Sequence, residues 1–240
     1  MSAGLSPDYY TRLEQGRQST ISHEVLTALA RALRLDDVEA AHLRELAAPT
    51  LRSHRRSSTS VQRPDPGLLR LMTQLDHLPV LLLGYRGDVL ARNTLLRVVL
   101  GTDLAPGTSF PRYFFEDPTA RERIVNWPDF ASALIGALRS ETGRRPYDRR
   151  LIALIDTIIA KDQDAARWWN DHGVRDYASV TKRIAHPTGG NLDFDIEIVS
   201  PPHEPEQRLV IYTAEPHSTT AHMLPLLASW DADTVAADKA

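Results

Sequence analysis

The sequence predicts an α+β chain: a small all-helical N-terminal unit, then a five-stranded antiparallel sheet packed with helices. Three observations carry this. Apolar residues recur at three-to-four spacing before residue 48; a Ser-, Pro- and Arg-rich stretch, Pro49 to Pro66, then interrupts every pattern; two-residue alternation appears on either side of a helical middle. A strand pair, a helical insert and a three-strand meander, in that order, close as one antiparallel sheet with helices gathered on one face.

The chain has 240 residues, 42% hydrophobic and 25% charged, enough to bury a real core. Its formal net charge of −3 supplies no global field toward nucleic acid or anionic membrane, so any DNA affinity must come from local basic residues. With no cysteine, disulfides, thiolate metal sites and a Cys nucleophile are excluded. No apolar run approaches a membrane span and no signal segment opens the chain, so a cytoplasmic protein is expected.

Four segments follow: 1–48, 49–66, 67–228 and 229–240. In the first, Ser6 suits an N-cap, Pro7 the first helical position, and Gly16 a left-handed stop. Tyr10 and Leu13 face inward, while Pro7, Asp8, Thr11 and Arg12 face outward. A helix follows from about Ser22, with Val25, Leu26, Leu29, Ala30 and Leu33 on one side. Leu35-Asp36-Asp37 caps a third, with Ala40, Leu43, Leu46 and Ala47 on its apolar side. The segment 49–66 carries Arg52, Arg55, Arg56 and Arg63 before its first acid, Asp65, and cannot bury a core; it reads as a solvated linker, or as a basic arm touching phosphates.

In the third segment a helix over Leu68 to Leu78 precedes Pro79-Val80-Leu81-Leu82-Leu83-Gly84. Gly87 to Ala91 returns across a Gly-Asp turn as a hairpin. The helical middle runs from about Thr94 to Gly173, with breaks expected at Pro106, Pro111, Pro118 and Pro146. Thr181 to His186 pairs with Leu192 to Ile198 through Pro187-Thr188-Gly189-Gly190, and Arg208 to Ala214 completes the meander. Phe194, Ile196 and Ile198 point toward the helices; Asp193, Asp195 and Glu197 point to solvent, paired with Lys182 and Arg183 across the hairpin. Trp168-Trp169 sits on a helix packing onto the sheet. The last segment, small and polar, is expected to fray as a disordered tail.

The string Ser6-Pro7-Asp8-Tyr9-Tyr10-Thr11-Arg12-Leu13-Glu14-Gln15-Gly16-Arg17 resembles the recognition helix of the Cro/repressor-like (xenobiotic-response-element) helix-turn-helix family. Val25 to Leu35 resembles its fourth helix and Asp36 to Ala47 its fifth. By that resemblance Pro7, Asp8 and Arg12 sit where base edges are contacted, and Gln15 and Arg17 where phosphates are held. With Ser6 and Thr11 these form the expected DNA-binding set. Family members carry two further helices before Ala3-Gly4, so the N-terminal domain is expected to be truncated, either because Met1 falls at an internal Val codon or because the protein is genuinely shortened and its N-terminal helices dock on the sensor or on a second chain.

The segment 67–228 resembles the MmyB-like, PAS-related ligand-binding domain found behind such helix-turn-helix units in actinobacterial regulators. The strings are Asp88-Val89-Leu90-Ala91-Arg92-Asn93, Phe114 to Arg121, Asn126-Trp127-Pro128-Asp129-Phe130, Thr181 to Pro187 and Gln207 to Pro216. Arg92 departs from the family, which usually has Trp before that Asn. The resemblance implies a PAS-like fold with a hydrophobic cavity for a small apolar or fatty-acid-like effector. The expected lining is Leu81, Leu83, Tyr113, Phe114, Trp127, Phe130, Phe194, Ile196 and Tyr212; the same residues could equally be a filled core.

Enzyme chemistry finds no residues to stand on. There is no Gly-rich phosphate loop, no G-x-S-x-G elbow and no H-E-x-x-H helix, and His217 and His222 are isolated near the C-terminus. No cofactor is expected. The expectation is a ligand-responsive DNA-binding transcriptional regulator, a homodimer because such readers address paired half-sites. The alternative is a non-DNA-binding sensor that pairs with a full-length regulator.

Overall fold

A computed structural model describes residues 23–36, 39–40, 43, 62–171 and 181–237. Helix α1 (His23–Ala32) buries Leu26, Leu29 and Ala30 of the face its spacing predicts, whereas Leu33, expected on the same face, follows the end of the helix and is exposed. Beyond it, Asp36 and Glu39 form a reciprocal cap: the Glu39 amide donates to Asp36 Oδ1 (2.8 Å) and the Asp36 amide to Glu39 Oε2 (3.0 Å).

Helix α2 (Pro66–Gln74) starts where Asp65 caps the Leu68 amide and Pro66 needs no partner for its missing N–H. Strands β1 (Val80–Leu83) and β2 (Val89–Arg92) follow. The insert comprises α3 (Thr94–Leu100), α4 (Phe110–Glu116), α5 (Pro118–Arg123), α6 (Trp127–Arg144), α7 (Arg149–Lys161) and α8 (Gln163–Asn170). Then come β3 (Lys182–His186), β4 (Gly190–Val199), β5 (Arg208–Thr213) and α9 (Thr219–Ala237). The segment past Ser229, read from sequence as a polar tail, continues α9 through Ala237. Pro111 and Pro118 do not merely break the helical middle. Each sits in the first turn of a new helix, where proline is pre-organised.

The sheet is antiparallel throughout, in the order β2-β1-β5-β4-β3. The first and last strand units of the chain thus meet at its centre, β1 against β5. This explains the unbroken apolar run of β1, which is covered on both faces. Leu81 enters the main core, whereas Val80 and Leu82 join Leu68, Leu90, Leu209 and Ile211 in a smaller cluster beneath α2. One expectation needs correction here: helices are not confined to one face, because α2 closes the other.

Two polar side chains pin the sheet edges. Asn93 caps α3 through the Leu96 amide (3.0 Å), accepts from the Val80 amide (3.0 Å) and donates to the Leu78 carbonyl. Asn126, just before α6, donates to the Thr181 carbonyl (2.9 Å) and accepts from the Arg183 amide (3.0 Å), gripping β3 on both sides of Lys182. His186 closes the β3–β4 turn: its Nδ1 accepts from the Gly189 amide (2.8 Å) while Nε2 faces the Val98 carbonyl (3.2 Å). That arrangement fits the neutral ring, and burial lowers its pKa further.

Candidate ligand-binding site

Between the inner face of the sheet and α6 lies a cleft of about 740 Å³, part of it open to solvent. Alternation along the strands builds its floor. Leu81 and Leu83 of β1, Ile196 and Ile198 of β4, and Arg208, Val210 and Tyr212 of β5 all face it. Helix α6 supplies the roof with Phe130, Leu134, Ala137, Leu138 and Glu141, and α4 adds Phe110 and Phe114. Gly84, Tyr85 and Gly87 of the β1–β2 turn complete it. Gly87 has φ +77°, and a Cβ there would lie 2.6 Å from the Pro111 ring, so only glycine lets the turn close against α4.

Of the lining expected from sequence, Leu81, Leu83, Phe114, Phe130, Ile196 and Tyr212 face the cleft. Tyr113, Trp127 and Phe194 do not; they are buried in the core beside it. Trp127 is held there because its indole N–H donates to the Phe114 carbonyl (2.9 Å) and its ring stacks on Phe114, with centroids 6.1 Å apart. Trp168 packs against Trp127, and α8 lies on α6 and α7 rather than on the sheet, correcting that expectation. Arg92 lies outside the cleft and pairs with Asp103. The expected DNA-binding residues Ser6, Pro7, Asp8, Thr11, Arg12, Gln15 and Arg17 lie outside the described residues.

The sequence reading missed the cleft's most polar feature. Lys182 was expected on the solvated face beside Asp193, Asp195 and Glu197. In the sheet, register sets Lys182 opposite Phe194 and only Arg183 opposite Asp193, so Lys182 shares the inward parity of Ile184 and His186. It is 2% exposed and lines the cleft. Its Nζ donates to the Tyr212 hydroxyl (3.0 Å) and lies 5.0 to 5.7 Å from the ring centres of Phe110, Phe114, Phe130 and Tyr212. Burial alone pulls its pKa down to about 7. Among the described residues no carboxylate lies within ion-pair distance of it.

The other end of the cleft is electrostatically closed on itself. Buried Glu141 accepts from Arg144 (3.4 Å), Arg145 and Arg208; Arg145 also reaches Glu206 (2.5 Å) and lies 4.0 Å from the Tyr85 ring centre. Next to it, Arg86 and Asp148 form a buried pair (2.9 Å), and the Tyr85 hydroxyl donates to the same carboxylate (2.7 Å). Burial pushes Asp148 up, but these hydrogen bonds and that from the Leu151 amide outweigh it, and its pKa falls below the usual carboxylate value.

The model of the MmyB-like transcription regulator ligand binding domain family matches residues 64–227, the whole of this sheet, insert and cleft. The chain belongs to that family. A helix-turn-helix domain model matches residues 2–43 of this MmyB-like chain. A helix-turn-helix domain joined to a transcription regulator's ligand-binding domain is the make-up of a ligand-responsive transcription regulator. No match is found among curated proteins. Among the described residues no cluster of potential metal ligands occurs, and no helix is long and apolar enough to cross a membrane.

Proposed function

We propose that this MmyB-like regulator reads DNA through Pro7, Asp8 and Arg12 and is controlled by a small, largely apolar or fatty-acid-like effector held in the cleft. The observation that carries the effector reading is the cleft itself: a partly open space bounded by aromatic and aliphatic side chains from three strands and two helices. The HTH match supplies the DNA-reading half. Two copies acting on paired half-sites complete the proposal.

The route from cleft to linker is short. Tyr85, which lines the cleft, donates its amide to Gln62 Oε1 (3.1 Å). Gln207 accepts from the Asp65 amide (2.9 Å) and donates to the Arg63 carbonyl (2.8 Å). An effector that favours one position of the Tyr85 turn therefore acts on the strap that leads toward residues 2–43, and shifts the spacing of two recognition helices.

A gel shift of the full chain on its own promoter tests this. Binding should weaken steeply with salt, and Arg12→Ala should relax sequence choice at a cost of about 1–3 kcal/mol. Failure to shift at any salt favours instead a non-DNA-binding sensor that pairs with another regulator.

A further inference from the structure

A strongly basic surface lies beside the strap, and the cleft makes no use of it. From Thr142 to Arg150 the chain carries four arginines and a single acid, Asp148. That acid is spent inside the protein. It is 4% exposed, takes the Arg86 guanidinium (2.9 Å) and caps α7 through the Arg150 and Leu151 amides (3.1 Å each). Arg145 is likewise spent, held by Glu141 and Glu206. What is left over points to water. Arg149 and Arg150 are exposed and form no ion pair among the described residues; Arg150 acts on the half-buried Asp88 without bonding it. Arg144 reaches Glu141 only at 3.4 Å, with 40% of its side chain exposed, and Tyr147 is 81% exposed.

Arg149 and Arg150 open α7, whose first turn contains no acid. Two cations there oppose the macrodipole, and an anion laid across that turn relieves both. The residue types narrow the anion. Every cation of this stretch is an arginine, whose planar fork meets a phosphate with two parallel N–H donors, and tyrosine hydroxyls bond phosphates as well.

The position says whose phosphates. Glu206 accepts from Arg145 (2.5 Å) and from the Gln62 amide nitrogen (3.4 Å), so a single carboxylate separates this surface from the strap. On the strap Arg63 is exposed, its carbonyl held by Gln207 (2.8 Å). Arg63 ends the run Arg52, Arg55, Arg56 and Arg63 that precedes Asp65, so the basic character of segment 49–66 continues onto the folded domain. From residue 43, where the helix-turn-helix match ends, to Gln62 is nineteen residues, a reach of at most ~65 Å. Phosphates one helical turn from a half-site centre, ~34 Å away, fall within it.

We infer that residues 144–150 form a second DNA contact, in which Arg144, Tyr147, Arg149 and Arg150 hold backbone phosphates flanking the sequence read by the helix-turn-helix. This rests on the DNA-reading half of the function proposed above. The contact is to backbone alone, so it adds affinity and salt dependence and leaves base choice to Pro7, Asp8 and Arg12.

The test is fluorescence anisotropy of the full chain on a duplex from its own promoter and on an unrelated duplex of the same length, each across a salt series. Arg149→Ala/Arg150→Ala should lower the slope of log affinity against log salt by about 2 and weaken binding at low salt at least about tenfold. Both duplexes should lose alike, so the preference for the promoter is kept. Arg149→Lys/Arg150→Lys should retain most of the slope. Lys161→Ala/Arg183→Ala removes the same charge from other exposed positions and should leave slope and affinity near wild type. The urea midpoint of Arg149→Ala/Arg150→Ala should not fall, since both side chains are exposed and oppose the α7 dipole. Wild-type slope and affinity in that variant overturn the inference and leave the surface to an acidic protein partner. An equal loss in Lys161→Ala/Arg183→Ala overturns it as an effect of net charge, and a loss confined to the promoter duplex overturns the backbone assignment. If wild type binds neither duplex at any salt, the DNA reading fails and this inference with it.

Discussion

Replacing Lys182 with Met should change not only the stability of the ligand-free protein but its dependence on pH. In the folded chain burial lowers the amine to about 7, against 10.5 when it is exposed on unfolding. Between those values the unfolded state holds a proton that the folded state has lost, so unfolding takes up close to one proton. Stability from this group therefore rises with pH through the window and is lowest at or below pH 7. One proton is worth about 1.4 kcal/mol per pH unit, so wild type should gain roughly 2–3 kcal/mol from this group between pH 7 and pH 9. Lys182→Met has nothing to titrate there. Its advantage over wild type should be largest at pH 7 and shrink by that amount at pH 9, although the Tyr212 hydroxyl left without its donor offsets part of the advantage at every pH. The window stops at pH 9 because Tyr85, Tyr113 and Tyr212, all raised in the folded state, pull stability the other way once the unfolded phenols ionise. Urea unfolding followed by tryptophan fluorescence at pH 7, 8 and 9 gives both curves. Parallel curves for the two proteins would refute the reasoning, because they would mean that Lys182 stays charged, and therefore solvated or paired, in the folded state.

Ala137→Trp sets an indole into the cleft from the half-buried cleft-facing side of α6; calorimetric titration with decanoate, a fatty-acid-like probe, should lose more than about tenfold in affinity while the urea midpoint reports only the roughly 1–3 kcal/mol of overpacking. Asp148→Ala leaves the buried Arg86 guanidinium without its carboxylate and should cost about 3–5 kcal/mol in urea unfolding, much of it recovered when Arg86→Met is added. Gln62→Ala removes the acceptor of the Tyr85 amide; ligand affinity should be unchanged in calorimetry, and the effect of ligand on promoter binding should disappear.

Much of the sheet was legible because its physics is local. Strict alternation through Phe194 and Ile196 forces one face inward, and two short apolar runs around a Gly-Asp turn read as the hairpin that β1 and β2 form. The second cover, α2, was not legible as such, since an amphipathic helix does not state which face of a sheet it will meet. Aromatic identity carried less. Phe114 and Phe130 face the cleft whereas Trp127 and Phe194 fill the core, a difference set by ring orientation and by bonds such as that from the Trp127 indole to the Phe114 carbonyl. Lys182 was missed for an instructive reason. Its parity with Ile184 and His186 was visible, but a lysine among carboxylates suggests a surface ion pair, and residue type prevailed over position. A charged residue at an inward parity of a half-buried strand is itself the signal of a polar site.

The most direct measurement is the promoter affinity of the full chain as decanoate is added, for wild type and Ala137→Trp side by side. The account predicts a saturable change in DNA affinity for wild type, at concentrations matching its calorimetric binding, and none at those concentrations for Ala137→Trp. Promoter affinity that ignores decanoate in wild type while the cleft is demonstrably occupied would contradict it.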